Sequence, residues 1–539
     1  MQSILRKASF QYSGIGQAEE VKDVDNVGEA VVARARAAGR KVMICASGTR
    51  GDVQPIAALA NAMQKAGFIV QIATNVCHVA FLQKFNLDVK PCAFDFEAWM
   101  AQPKIAEWIA KNDLMTLIDN QEQTLRKEFP AQCSNTLAAI DSFKPDVILT
   151  TINMREVIAM AMAKQIPVTV IALQTILPSK FQPSPIGEPS CFPHKSPAYA
   201  MLYMMYKIAR DTKNEELLSQ FPEAKDYLPQ TYQEFMLEYL HPFAPILYGF
   251  SPSLQKIWPD WSEDSKKHSF FPGFWVISKA EQTKRALKRQ DSRFGGSAMP
   301  ELTAFIDKSD SPPVYLGWGS MKARSSEWLT CLAIRSLMKA KLRGIVLAGW
   351  ADLGIDKLEG QPDTDAMKSY CEHNVLFMKT APHEWLFPQC SATVHHGGSG
   401  TTAAALRSGV PTIVTPLAFD QFDNGKLAQN SGAGICTGQL GKLTPDGLAA
   451  AITKCTSNKD MIKKAEEIAE VLRNEDGLSS SIKVLDDWIM GDIASGEYAV
   501  RAKQRKQEIA KMRSRPAGCL SYFGQLCCSC GKTDWSVKL

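Results

Sequence analysis

The 539-residue chain contains no apolar run of the length a membrane-spanning helix needs. Its most apolar stretch, Val157–Leu177, is broken by Lys164, Gln165 and Pro167. The first residues, MQSILRKASFQYSGIG, lack the apolar core of a secretory signal. No short-period repeat is present, which excludes a solenoid or propeller. Neither GxxxxGK[ST] nor a strand-linked GxGxxG occurs, which argues against P-loop hydrolysis and against a dinucleotide site. Charge of one sign is also lacking, with 61 Lys/Arg against 56 Asp/Glu. Residues 493–539 carry nine Lys/Arg and three Asp/Glu, so the rest of the chain is within one charge of neutral. Only the tail is basic, and nothing marks the body as a nucleic-acid binder. Ten of the 14 cysteines stand singly between residues 45 and 455, as expected of reduced, buried thiols. No spacing predicts a metal site in the body. These absences predict a soluble, cytoplasmic globular protein.

Two α/β series are present. The first has strands in VMICAS and IVQIAT around a helix stopped by Gly67, then DVILTT (146–151), a helix through Ala163, and VTVIAL (168–173). The second begins at Val314 with VYLGWGS, then RGIVLAG, NVLFMK, SATVHHGGSG and VPTIVTP. Two such halves predict two facing Rossmann-like domains with parallel sheets and an interdomain cleft. The expected boundaries are a flexible leader (1–38), an acceptor-binding domain (39–278), a linker (279–312) and a second domain (313–475). A helix returning to the first domain (476–500) and a basic, solvated helix with a Cys-rich tail (501–539) complete the chain. Residues 178–272 read as loops and helices.

The strongest local signal is HHGGSGTT, residues 395–402, between a strand and a helix. Small residues there let the backbone approach a ligand, and the free N–H groups of the helix start favour an anion. His395, His396, Gly397, Gly398, Ser399, Gly400, Thr401 and Thr402 form the expected phosphate cradle. Asp420 and Gln421 follow the next strand, where an acid and an amide suit neighbouring sugar hydroxyls. In GTRGDVQP, Asp52 sits at the first turn after the first strand. It reads equally well as a general base and as a helix cap. Arg50 either pairs with Asp52 or is solvated. Ser320 is a further candidate for a phosphate, and Tyr199, Tyr203 and Met204 for an apolar acceptor pocket. His78, His194, His241 and His268 read as structural. Cys519, Cys527, Cys528 and Cys530 are compatible with an unstructured tail, with lipidation beside a polybasic segment, or with a metal.

In their order and spacing, GTRGDVQP (48–55), LYGFSPSL (247–254), APHEWLFPQ (381–389), HHGGSGTTAAALRSGVP (395–411) and FDQF (419–422) resemble the UDP-glycosyltransferases of GT-B fold. The similarity is to the sterol 3-β-glucosyltransferase branch and its bacterial antibiotic-glycosylating relatives. It implies inverting transfer of a hexose, glucose above all, from a UDP-sugar co-substrate to the 3-hydroxyl of a sterol, with no further cofactor. Asp52 is then the base, and Gly48, Thr49, Arg50 and Gly51 lie beside the donor. His396 and Thr401 face the diphosphate, Asp420 and Gln421 contact glucose, and the segment with Pro382, His383 and Trp385 lies by the uracil. Two departures stand out. Phe419 replaces the usual Gly before Asp-Gln, and Ala404 occupies the slot where plant relatives carry a ribose-binding Glu, so ribose is held otherwise. Membrane contact is expected from the basic tail. Other lipophilic alcohols, such as flavonoids or polyketides, an epimerase reaction, and an inactive sugar- or lipid-binding protein are the competing readings.

Overall fold

The computed structural model describes residues 33–514, with gaps within 101–113, 176–212, 232–241 and 288–290 and at 320, 322 and 419. Tyr199, Tyr203, Met204, Ser320, His194, His241 and the four tail cysteines lie outside the described residues.

Two parallel sheets organise the chain. The first comprises β1 (Lys41–Ala46), β2 (Ile69–Asn75), β3 (Asp88–Ala93), β4 (Val147–Thr151), β5 (Val168–Ala172), β6 (Ile246–Tyr248) and β7 (Ser269–Phe270), in the order β3-β2-β1-β4-β5-β6-β7. The second comprises β8 (Val314–Gly317), β9 (Gly344–Leu347), β10 (Val375–Met378), β11 (Ala392–His395), β12 (Thr412–Val414) and β13 (Gly434–Cys436), in the order β10-β9-β8-β11-β12-β13. The inner strands are buried along almost their whole length, as sheets covered on both faces require. In each sheet the strand order reverses at its first strand, with β1 paired to β4 and β8 paired to β11. The loops leaving these four strands therefore diverge and open a crevice at the carboxyl edge of each sheet.

Helix α1 (Arg50–Lys65) follows β1. Thr49 and Asp52 close its first turn as a capping box, and Gly67, at φ +98°, ends the connection to β2. Pro55 has no N–H, so the Gly51 carbonyl four residues earlier has no helical donor and stays open to the cleft. The linker is more ordered than its composition predicts. It forms α2 (Lys279–Leu287) and α3 (Met299–Asp307), and it is fastened to the first domain by Arg285 over the Phe85 ring at 3.5 Å and by a Lys84–Asp291 ion pair of 2.8 Å.

In the second domain α4 (Ser326–Ala340) follows β8, and the short α5 (His383–Leu386) precedes β11. Helix α6 (Ser399–Ser408) follows β11, and α7 (Gln421–Asn430) follows β12. Three helices from Pro445 to Trp488 then return the chain to the first domain, where Ser481 Oγ accepts the Trp275 indole N–H at 2.7 Å. Residues 33–38, expected to belong to a flexible leader, are docked here. Arg36 Nε donates to Asp486 Oδ2 and the Ala37 N–H to Asp486 Oδ1, at 2.8 and 2.7 Å. The basic helix Glu497–Arg513 is likewise not merely solvated. Arg513 pairs with the buried Glu234 at 3.0 Å, Lys506 with Asp226 at 2.9 Å, and Arg505 donates to the Leu237 carbonyl. Its charges therefore serve the fold as much as the surface.

Candidate active site

The switch-point loops of both sheets line one cavity of about 840 Å³. The two walls nearly touch, since a Cβ built on Gly400 would lie 3.8 Å from the Gly51 carbonyl oxygen.

On the first wall Asp52 is half-buried. Its Oδ2 accepts the Thr49 N–H at 2.7 Å and the Thr49 hydroxyl at 2.9 Å, and Oδ1 has no protein partner among the described residues. The cap and base readings are therefore compatible, because one oxygen caps the helix and the other faces the cavity. Burial raises the Asp52 pKa, and the two Thr49 hydrogen bonds oppose that rise. Gly48, at φ +142°, has to be glycine, since a side chain there would collide with the Asp52 carboxylate. Three side chains hold this turn from below. Asn75 Oδ1 accepts the Gly48 N–H, His78 Nε2 contacts the Gly48 carbonyl, and Asn153 donates to the Ser47 carbonyl, each at 2.9 Å. His78 is thus structural, as its sequence context predicts, and it supports the one loop on which Asp52 depends. His268 is a helix residue bonded to the Asp264 carbonyl, far from this chemistry in role.

Arg50 neither pairs with Asp52 nor is solvated. It donates to Gln54 Oε1 and to the Arg293 carbonyl, both at 3.0 Å, and lies over the rings of Phe81 and Phe294. Burial lowers its pKa to about 10. It lines the cavity and also joins the first wall to the linker.

On the second wall, strand alternation separates the adjacent histidines. His395 is fully buried and does not line the cavity. Its Nε2 meets Thr412 Oγ1 at 2.8 Å and its Nδ1 accepts the Gly397 N–H at 3.0 Å. His396 does line the cavity, with Nδ1 buried and unpartnered, and burial lowers its pKa to about 4, so the ring is neutral. Gly397 and Thr402 also point inward, Gly397 against Val414 and Asn424 and Thr402 into the core. Of residues 395–402, His396, Gly398, Ser399, Gly400 and Thr401 line the cavity. No side chain caps α6, and no protein group accepts the N–H groups of Ser399, Gly400 and Thr401 among the described residues.

Asp420 Oδ2 accepts the Ser399 hydroxyl at 2.8 Å and an Asn424 N–H at 3.1 Å, leaving Oδ1 to the cavity. Burial raises its pKa to about 6, and the negative charge of Asp52 adds to the rise. Gln421 lines the cavity, but its Oε1 is engaged by the Leu417 and Ala418 N–H groups, which leaves only the amide nitrogen for a ligand.

The segment 381–385 is used differently from expectation. Ala381, His383 and Glu384 line the cavity, whereas Pro382 and Trp385 do not. Two residues along a helix turn the side chain to the opposite face, and Trp385, partly buried, packs against the core. His383 stacks on Phe387 at 4.5 Å and meets the Tyr315 hydroxyl at 3.3 Å, and burial lowers its pKa to about 3.

The apolar end of the cavity lies in a stretch without a readable period. Phe94, Phe96, Trp99 and Met100 line it after β3, with Phe96 and Trp99 at 5.3 Å, together with Ile152, Leu173 and Phe274. The signal was the aromatic density of FDFEAWM, which follows a strand whose polar, Pro-containing sequence DVKPCA hides it. Among the described residues no cluster of side chains suits a metal, nine cysteines are free thiols, and no helix is long and apolar enough to cross a membrane.

Residues 42–172 match the model of the glycosyltransferase family 28 N-terminal domain. Residues 362–476 match that of the erythromycin biosynthesis protein CIII-like C-terminal domain. A sterol 3-beta-glucosyltransferase of Arabidopsis thaliana is 26% identical over 82% of this chain and 67% of that protein. One from Penicillium rubens is 34% identical over 45% of this chain, and one from Candida albicans 27% identical over 81%. The chain covers only 16% and 27% of those two fungal proteins. Solved structures share the fold. The glycosyltransferase of kitacinnamycin superposes with a TM-score of 0.54 at 18% identity over 83% of this chain and 98% of that one. The glycosyltransferase VinC, in complex with DTDP, does so with 0.51 at 15% identity over 86% and 100%. The matched models fall on the two walls of the cleft, the second of them over residues 395–421, and the chain has the two-domain GT-B fold of these glycosyltransferase structures and is similar in sequence to sterol 3-beta-glucosyltransferases.

Proposed function

We propose that the protein transfers glucose from UDP-glucose to the 3-hydroxyl of a sterol, with inversion at the anomeric carbon. The observation that carries this reading is the content of the single cleft. A carboxylate with one free oxygen, a bare helix N-terminus, a second carboxylate and an aromatic wall all face the same cavity.

Each part has a chemical task. Asp52 Oδ1 takes the acceptor's hydroxyl proton as that oxygen attacks the anomeric carbon from the face opposite the leaving diphosphate. Burial makes Asp52 a stronger base than an exposed carboxylate. The bond to the diphosphate breaks through an oxocarbenium-like state, and negative charge grows on the departing phosphate. The N–H groups of Ser399, Gly400 and Thr401 and the neutral His396 ring suit that charge, because they are fixed before reaction. Asp420 Oδ1 and the Gln421 amide offer an acceptor and a donor to sugar hydroxyls. The rings of Phe94, Phe96 and Trp99 offer a flat apolar wall suited to a fused-ring alcohol. The close approach of Gly51 and Gly400 narrows the cleft, which suits the exclusion of water, the competing acceptor.

The test is incubation of purified protein with UDP-glucose, a sterol panel and a no-acceptor control, read by mass spectrometry. A hexose adduct on sterol supports the proposal. UDP release without a sterol adduct overturns the acceptor assignment, and absence of UDP release overturns the activity.

A further inference from the structure

The nucleotide end of the cavity contains an acid that the reaction above does not use. Glu384 stands on α5 beside His383 and lines the cavity, yet its side chain is only 10% exposed. Its Oε1 is buried against Arg407 Nε at 3.5 Å, a separation without a hydrogen bond, so neither of these two atoms is satisfied. Its Oε2 has no protein partner among the described residues, and the residue lines the cavity. Burial raises the Glu384 pKa, and Arg407 opposes that rise.

Arg407 belongs to α6, and Ala404, one turn earlier on the same face, lines the cavity with Ala403. Neither alanine offers a hydrogen bond. A buried carboxylate without a satisfied hydrogen bond is costly unless a ligand brings hydroxyl donors to it. The position along α6 says which hydroxyls. Ser399, bonded to Asp420, opens the helix, and Ala404 lies five residues later, about 7–8 Å along the axis. With a diphosphate on the N–H groups between them, the sugar falls towards Asp420 and the nucleoside towards Glu384.

We infer that Glu384 accepts a hydrogen bond from the ribose 2′-hydroxyl of the nucleotide and so selects ribonucleotide over 2′-deoxyribonucleotide donors. This rests on the nucleotide-sugar reading proposed above. It assigns the ribose contact to α5, leaving Ala404 on α6 without a polar role, and it makes Arg407 a positioning residue that fixes the acid from behind.

The experiment is calorimetric titration of the full chain with UDP and with 2′-deoxy-UDP, on wild type, Glu384→Gln and Glu384→Asp, with thermal melting to verify folding. Wild type is expected to bind UDP about tenfold tighter than 2′-deoxy-UDP, the scale of one hydrogen bond to a charged group. Glu384→Gln should lower UDP affinity about tenfold and change 2′-deoxy-UDP affinity less than twofold, so the preference collapses. Glu384→Asp keeps the charge beside Arg407, retracts the carboxylate by one methylene and should lose most of the preference even if the Gln variant fails to fold. An unchanged preference in a folded variant overturns the inference, as does an equal loss for both nucleotides, which would mark Glu384 as merely structural. If neither nucleotide binds wild type, the donor-site reading itself fails. If UDP binds but is not preferred over 2′-deoxy-UDP, only the ribose assignment fails.

Discussion

Asp52 and Asp420 stand on opposite walls of the cleft, and the charge of Asp52 adds to the burial that holds the Asp420 carboxyl at about 6. The relationship is one of repulsion, and closing the cleft brings both carboxylates under the same low-dielectric roof.

The first prediction concerns the base. Asp52→Asn removes the proton acceptor but keeps an oxygen for the Thr49 cap. It should reduce kcat by about 10²- to 10⁴-fold while leaving UDP affinity within about twofold. Single-turnover kinetics and UDP titration check both halves. An Asn variant with most of its activity would remove Asp52 from the mechanism.

The same pair predicts a pH profile. In the free enzyme Asp420 loses its proton at about 6, and Asp52, also raised by burial, must be ionised to act as base. Activity at limiting donor should therefore rise as pH increases through about 6. Asp420→Asn removes that titration, so the acid limb of kcat/KM should move to lower pH even though the rate falls.

The adjacent histidines give a prediction of contrast. His395→Ala removes two buried contacts and leaves a void, which should destabilise the fold by about 2–4 kcal/mol. His396→Ala should leave the melting temperature nearly unchanged and raise the donor KM about 10- to 100-fold. Equal effects of the two variants on donor KM would contradict the division of labour.

How legible was this arrangement? The βαβ series could be read because buried parallel strands such as VMICAS and VTVIAL are nearly unbroken apolar runs. Strands β6, β7 and β13 have only two or three residues, and β3 is interrupted by Lys90 and Pro91, so no period marked them. At the site, residue types were readable and side-chain directions were not. HHGGSGTT announced a cradle, but its residue types do not say that His396 faces the cavity while His395, at the end of β11, and Thr402, on α6, face the core. Trp385 drew attention as a large ring, and two residues of helix turned it away. Glu384 was hidden because its meaning depends on Arg407 and Ala404, which are close only after α5 packs on α6.

The aromatic wall makes a prediction about the acceptor. Phe96 is half-buried and faces the cavity, so Phe96→Ala should raise the acceptor KM about tenfold by removing apolar contact. UDP binding should not change. Trp99, only 5% exposed and continuous with the core around Trp318, should also cost stability when replaced by Ala. Steady-state kinetics in acceptor, beside UDP titration and melting, separates the two.

The last prediction tests the electrostatic cost of the site itself. Asp423 lies three residues after Asp420 on α7, with Oδ1 buried and unpartnered. Burial raises its pKa to about 8, and the Asp420 charge contributes. A carboxyl raised in the folded state binds more protons there than in the unfolded chain, so its presence costs stability as pH rises. The cost is absent below about pH 4, where the group is protonated in both states, grows between about 4 and 8, and is constant above. Asp423→Asn removes the ionisation at nearly constant shape. It should therefore change nothing at pH 4 and stabilise the protein by about 1–3 kcal/mol at pH 8, after allowance for partial exposure. Denaturant melts of both proteins across that range measure the difference directly. A gain at pH 8 that matches the gain at pH 4 would mean that Asp423 acts through packing rather than charge, and a loss at both would mean that its carboxylate holds a partner in solution. The expected rise with pH would identify it as a buried acid kept beside Asp420 at the expense of stability, the pattern of a functional cleft rather than of a folding core.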